Sequence, residues 1–268
     1  MNPIKHDNRT VVIGGGVVGL SIAYELATRG HSVAIVDQGE FGMQASWAGA
    51  GMLPPANAAT AIHPLEHLEA FSNVTHAQWA QRLRKETSID NGYSKCGSLY
   101  VARTAGEIAA LTGGMLEWDE QEIEYQRLDL ASLRNQYPAL AESMEQAKRS
   151  LTLWVPGSAQ LRNPWHLKAL AAACEQLDVQ MVSHANDVQV VLDRDRVVSV
   201  QFENGSFAGD QFVFAAGAWT EKLLATVEVR LPMQPVRGQM ALYQIDPKTS
   251  QMLVDGPIIN EGSRYLVP

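Results

Sequence analysis

The sequence predicts an α/β protein with a parallel central sheet and an interleaved α+β insert whose own sheet is mixed or antiparallel. The stretch from Thr10 to Asp37 reads strand, glycine turn, helix, strand, with β-branched apolar runs at both ends, as in a sheet buried on both faces. Two more runs of that kind, Val179–Ser183 and Gln211–Ala216, stand far down the chain and can join the same sheet. The segments between them follow no βαβ repeat, so the chain is expected to divide discontinuously. Residues 1–52 with 151–225 are expected to form one domain, and 53–150 with 226–268 the other, with a ligand in the crevice between.

Thr10–Ile13 is the first strand. It meets Gly14-Gly15-Gly16-Val17-Val18-Gly19, which fits G-x-G-x-x-G. A helix follows with Leu20, Ala23, Leu26 and Ala27 on one face and Gly30 as its stop residue. Ser32–Val36 is the second strand and ends on Asp37. Gly14 allows the tight turn, Gly16 the approach of a pyrophosphate, and Gly19 the close packing of helix on strand. The pyrophosphate is expected on the N–H groups of Val17 and Val18, at the positive end of the helix dipole. Asp37 stands at the spacing that puts a carboxylate on a ribose hydroxyl, where it repels a 2′-phosphate. The unit is a Rossmann-like dinucleotide site.

The loop QGEFGMQASWAGAGMLPPAN is rich in Gly and Ala, which suits a flat ligand lying across the backbone. Residues 64–86 read as an amphipathic helix through Leu65, Leu68, Phe71, Val74, Trp79 and Leu83. His63 and His67 lie four apart but flank Pro64 and lack a third ligand, so they read as surface or capping histidines. Residues 97–103 are a strand, 105–115 a helix, and 117–124 a solvated acidic face and turn. A short strand at 125–128 precedes a helix at 130–136 that stops before Pro138. Residues 151–155 form a strand, followed by a turn at Pro156-Gly157.

Asn163 is expected as an N-cap with Pro164 at the first helical position, and the helix runs to about Leu177. Strands at 187–192 and 197–203 follow Val179–Ser183, and Asn204-Gly205 turns a hairpin into 206–208. The strand at 211–216 breaks at Gly217, before a helix at 218–224. Residues 232–245 read as a long strand, and 264–267 start one more.

A net charge of −8 without any Lys/Arg cluster argues against a nucleic-acid partner. No apolar run of about 18 residues spans a membrane. The polar N-terminal MNPIKHDNR does not read as a signal peptide. Cys96 and Cys174 are too few for a disulfide framework or a metal site, and a cytoplasmic protein with reduced thiols is expected.

VVIGGGVVGLSIAYELATRG…VAIVD, then ASWAGAGML, FVFAAGAW and PVRGQM, resemble the FAD-dependent amine and amino-acid oxidases of the D-amino-acid-oxidase superfamily, in particular the glycine oxidases of thiamine (thiazole) biosynthesis. The resemblance covers essentially the whole chain, with ASWAGAGML its most discriminating piece. It implies FAD as the cofactor, with its pyrophosphate on Val17 and Val18 and its adenosine ribose on Asp37 and Gln38. Ala45, Ser46, Ala50, Gly51 and Met52 match the segment along the flavin side. Val188 matches the backbone that reads the adenine edge, Ala216 and Gly217 a strand end beside the cofactor, and Tyr265 a tyrosine that contacts substrate.

The resemblance further implies hydride transfer from the α-carbon of a small amino acid or amine to flavin N5, imine release, and reoxidation by molecular oxygen to hydrogen peroxide. The cofactor carries this chemistry, so no catalytic base is named. Homo-oligomers are a tendency of the family. In it the chain continues past the position of Pro268, supplying further strands, the arginine that clamps the substrate carboxylate and a flavin-facing loop. A truncated chain that binds FAD weakly and turns over poorly is therefore expected, since each charge-assisted bond of that clamp contributes about 1.5–3 kcal/mol. The alternatives are a sarcosine oxidase, a D-amino-acid dehydrogenase or a modified-tRNA oxidase, and an inactive FAD-binding fragment. A nicotinamide dehydrogenase is disfavoured by the ASWAGAGML loop.

Overall fold

The structure is a computed structural model that describes residues 9–244 and 256–268. In chain order it holds β1 (Arg9–Ile13), α1 (Val17–Thr28), β2 (Ser32–Val36), β3 (Met52–Leu53), α2 (Pro64–Thr87) and β4 (Ser98–Ala102). There follow α3 (Ala105–Glu120), β5 (Gln126–Arg127), α4 (Leu130–Gln136), α5 (Pro138–Glu145), β6 (Leu151–Val155), β7 (Ala159–Gln160) and α6 (Asn163–Gln176). Then come β8 (Gln180–Val182), β9 (Gln189–Asp193), β10 (Arg196–Phe202), β11 (Gly205–Ala208) and β12 (Gln211–Phe214). A 3₁₀ turn (Gly217–Trp219), α7 (Thr220–Ala225), β13 (Ile258–Glu261) and β14 (Arg264–Leu266) complete it.

Two compact units share the chain. The first holds the described residues up to Gly49, Arg82–Asn91 and Asn163–Met240; the second holds Ala50–Gln81, Gly92–Arg162 and the described residues from Ala241 onward.

The first unit is built on a parallel sheet of order β12-β1-β2-β8, which unites the opening βαβ unit with the two distant apolar runs. β1 and β2, in the middle of the sheet, are buried beyond their first residues because both faces are covered, while the edge strands β8 and β12 are half-buried after an exposed glutamine. Val11, Ile13 and Val36 face a cluster with Ala185, Val200 and Phe207, drawn partly from the antiparallel sheet β11-β10-β9. Val12 points the other way, toward α1, and α1 packs on α6. The Asn204-Gly205 turn joins β10 to β11, with Phe202 paired to Gly205. Tyr24 of α1 is fully buried. Its hydroxyl donates to Glu86 Oε2 at 2.7 Å and accepts from Arg82 Nε at 2.5 Å, and burial raises its pKa above the ordinary tyrosine value.

The second unit is built on a mixed sheet of order β14-β13-β4-β6-β5, in which β13 runs parallel to β4 and the other pairs are antiparallel. Leu99 and Val101 of β4 form its core with Leu133, Ala141 and Met144 of α4 and α5. Thr104 starts α3 in a capping box with Glu107. β6 pairs with β4, so residues 151–162 cluster with this unit and not with the parallel sheet.

Several expectations are corrected. α3 runs on to Glu120 instead of ending at 115, so the acidic stretch is an exposed face of its last turn followed by a turn at 121–122. Trp118 holds that end of the helix, its ring edge-on to Tyr100 at 4.9 Å and tilted against Tyr125 at 5.7 Å. α4 does end before Pro138 as expected, and Pro138 begins a further helix, α5, at its first position, where the missing N–H costs nothing. The long strand expected over 232–245 is not formed at 232–244, and residue 245 lies outside the described residues. A strand needs a ladder partner, and none meets this segment among the described residues. Val236 and Leu242 stand 90% and 92% exposed instead. β7 and β13 are additional strands. No helix among the described residues is long and apolar enough to cross a membrane.

Candidate cofactor site

The chain leaves β1 toward β2 on one side and returns much later to β12 on the other. That reversal is a topological switch point, and the carboxyl ends of the strands there are the position where open α/β sheets bind ligands. The glycine turn sits there. Gly14 has φ +108°, and a Cβ on it would strike the carbonyl of Ala215 and lie 2.7 Å from the Ala216 nitrogen. A Cβ on Gly19 would run into the carbonyl oxygen of Gly14. At Gly16 the nearest atom to a Cβ is the Ser46 hydroxyl, at 3.0 Å, so the backbone is open to a close visitor.

α1 begins with no acidic residue in its first turn and no side-chain cap from Gly16. Val17 N–H was expected to be available for a ligand, but it donates to Ser46 Oγ at 2.9 Å. The residues after β2 fold back in turns, which brings Ser46 over the helix N terminus. Its hydroxyl accepts from Val17 and retains its own proton to donate. Val18 is 58% exposed, and its amide has no hydrogen-bond partner among the described residues. The unpartnered Val18 amide, the serine hydroxyl and the positive end of the helix dipole fit a diphosphate.

Asp37 follows β2 directly. Its Oδ2 accepts from Gly15 N at 2.6 Å and its Oδ1 from Gly39 N at 2.8 Å. The carboxylate therefore braces the glycine turn, with a second lone pair on each oxygen still able to accept. Gln38 beside it is exposed. Val188 precedes β9 and packs against the cluster of Val11, Ile13 and Val36. Ala216 caps the 3₁₀ turn after β12, and Gly217 has φ +54° with no neighbouring atom where a Cβ would stand. The carboxyl edge of the sheet thus gathers Gly14, Gly16, Val17, Val18, Gly19, Asp37, Ser46 and Ala216 within the first unit.

Ala50, Gly51, Met52 and Tyr265 belong to the second unit. There Gly51 has φ +73°, its carbonyl accepts from Leu161 N at 2.9 Å, and Met52 pairs with Gln160. Tyr265 lies on β14 opposite Asn260 and is 43% exposed.

Neither cysteine is a poised thiolate: burial pushes Cys174 up to about 12 and raises Cys96 as well. Among the described residues no group of three His, Cys, Asp or Glu could hold a metal ion. Sequence reasoning missed one contributor. Asn163, expected as a helix cap, begins α6 and sends its side-chain amide to the Ser46 carbonyl at 3.0 Å.

Residues 9–268 match the family model described as DAO, FAD dependent oxidoreductase. The glycine oxidase of Pseudomonas putida is 32% identical over 97% of this chain and 67% of its own length. The bifunctional protein ThiO/ThiG of a Synechocystis species is 30% identical over 96% of this chain and 36% of its own length. Among solved structures, the glycine oxidase of Geobacillus kaustophilus superposes with a TM-score of 0.80 at 26% identity, covering 97% of this chain and 68% of that one. The chain thus spans about two thirds of the length of the glycine oxidases it matches.

Proposed function

We propose, from the premise that this chain belongs to the DAO family of FAD-dependent oxidoreductases, that it is a glycine-oxidase-like enzyme acting on a small amino acid or amine. The observation that carries this reading is the diphosphate cradle at the N terminus of α1, bordered by a carboxylate at the end of β2. In this reading Val18 and Ser46 hold the pyrophosphate and Asp37, with Gln38, the adenosine ribose. Val188, Ala216 and Gly217 border the adenosine half, while Ala45, Ala50, Gly51 and Met52 line the flavin half and Tyr265 meets the substrate. The parallel-sheet unit is then the FAD-binding domain and the mixed-sheet unit the substrate domain.

Bound FAD supplies two-electron oxidation chemistry; the protein supplies binding, orientation and electrostatics. The proposed reaction turns the amine into its imine and molecular oxygen into hydrogen peroxide. A role in making the thiazole of thiamine follows the resemblance to ThiO proteins. A cytoplasmic site of action belongs to the same proposal, supported by two unpaired cysteines.

The test is the visible spectrum of the purified protein together with a peroxide assay on glycine, sarcosine and D-alanine. A flavin spectrum with glycine-dependent peroxide would support this reading and overturn the expectation of weak FAD binding and poor turnover. Oxidation of sarcosine or D-alanine without glycine would move the substrate assignment to a relative. A flavin that no amine reduces would contradict the enzymatic reading, and a bound nicotinamide would contradict the cofactor assignment.

A further inference from the structure

The turns between β2 and β3 are gripped from one side by the start of α6. Asn163 Nδ2 donates to the Ser46 carbonyl at 3.0 Å, and the same carbonyl accepts from Gly49 N at 3.4 Å. The amide lies so close to Gly49 that a Cβ there would strike it, so glycine at 49 is what admits Asn163. Leu167 sits over Gly42, where a Cβ would lie 3.1 Å from the leucine Cβ. The Lys168 ammonium stands 4.8 Å from the Trp165 ring centroid and 5.7 Å from that of Trp47, a spacing that suits cation–π attraction. One stretch of α6 thereby holds residues 42, 46 and 47. The held segment is the one that places Ser46 Oγ on Val17 N–H.

We propose that Asn163 is a positioning residue for the cofactor: by fixing the Ser46 backbone it aims the Ser46 hydroxyl, already bonded to Val17, at a pyrophosphate oxygen. This inference rests on the pyrophosphate assignment above. Asn163 acts through Ser46 and does not touch the cofactor itself. Loss of its amide lets the turn shift, and a hydroxyl displaced by a fraction of an ångström no longer serves both Val17 and the phosphate. A hydrogen bond weakens steeply as its angle falls.

The experiment titrates FAD into the apoprotein, followed by flavin fluorescence, for wild type, N163S, S46A and the double variant. Serine still starts a helix but is too short to reach the Ser46 carbonyl. S46A is expected to weaken FAD binding about tenfold, the cost of one hydrogen bond to a charged group. N163S is expected to weaken it about fivefold in the wild-type background and not at all in the S46A background, because the two residues act in one chain. N163D, isosteric but with no N–H to give, serves as the second variant and is expected to lose affinity likewise. An N163S effect that persists undiminished in S46A, or that is absent from wild type, overturns the role of Asn163 and leaves the pyrophosphate assignment intact. An unchanged affinity in S46A alone overturns that assignment, and the role of Asn163 with it.

Discussion

Replacing Gly19 by alanine is expected to lower FAD affinity by about a hundredfold and to lower the melting temperature measurably. The new Cβ would enter the carbonyl oxygen of Gly14, which belongs to the cofactor turn itself. Backbone cannot rotate away as a flexible side chain can, so α1 must retreat from β1. The amides at the helix N terminus, to which the pyrophosphate is assigned in our proposal, move with it. Overpacking of this kind costs about 1–3 kcal/mol in stability, and a displaced N terminus loses its alignment with a bound diphosphate. Val12 Cγ1, 3.4 Å from the position of the Cβ, closes the other route of escape. Far-UV melting and flavin titration on the same preparation check both effects. Gly30, where a Cβ meets no atom within 4 Å, supplies a control for steric crowding, although its φ of +80° carries its own strain.

Asp37→Ala is expected to weaken FAD binding by a comparable factor through a different cause. The carboxylate holds Gly15 N and Gly39 N at 2.6 and 2.8 Å, so its removal frees the glycine turn and the start of the following loop together. Each charge-assisted bond contributes about 1.5–3 kcal/mol, and the ribose contact proposed for the same group is lost as well. D37N retains one acceptor oxygen and is expected to bind FAD with intermediate affinity. Measured by fluorescence titration, an order of wild type, then D37N, then D37A fits the dual role of the carboxylate. Equal affinities in all three would show that Asp37 neither braces the turn nor meets the ribose.

The opening βαβ unit was legible because its information is local: apolar runs, glycines at fixed offsets and an acid at the end of β2 all lie within one stretch. The distant strands β8 and β12 were legible for the same reason, since each carries a short apolar run in its own residues although both are half-buried edge strands. Elements that depend on a neighbour were not. The stretch 232–244 reads as a strand from its own residues, yet those residues say nothing about whether a ladder partner stands beside it. β7 is a strand of two residues marked by its pairing with β3 and by the bridge of Gln160 to Ser94. Pro138 reads equally as the end of one helix or the start of the next, and the turn at Tyr137 decides for both.

At the site, the glycine spacing announced the cradle but not who occupies it. The fold-back of the turns after β2 brings Ser46 to the helix N terminus, 29 residues from Val17 in sequence. The amide of Asn163 arrives from 117 residues away. No pattern along the chain encodes either meeting. They follow from the packing of α6 on the loop, which only the assembled unit defines.

The central claim is that the first unit recognises the ADP half of FAD through the turn at Gly14–Gly19, the Ser46 hydroxyl and Asp37. Titration of the apoprotein with FAD, FMN and ADP, each followed by intrinsic tryptophan fluorescence, tests it most directly. FAD is predicted to bind, ADP to compete with it, and FMN to bind far more weakly than either. FMN binding as tightly as FAD, with ADP unable to compete, would contradict it.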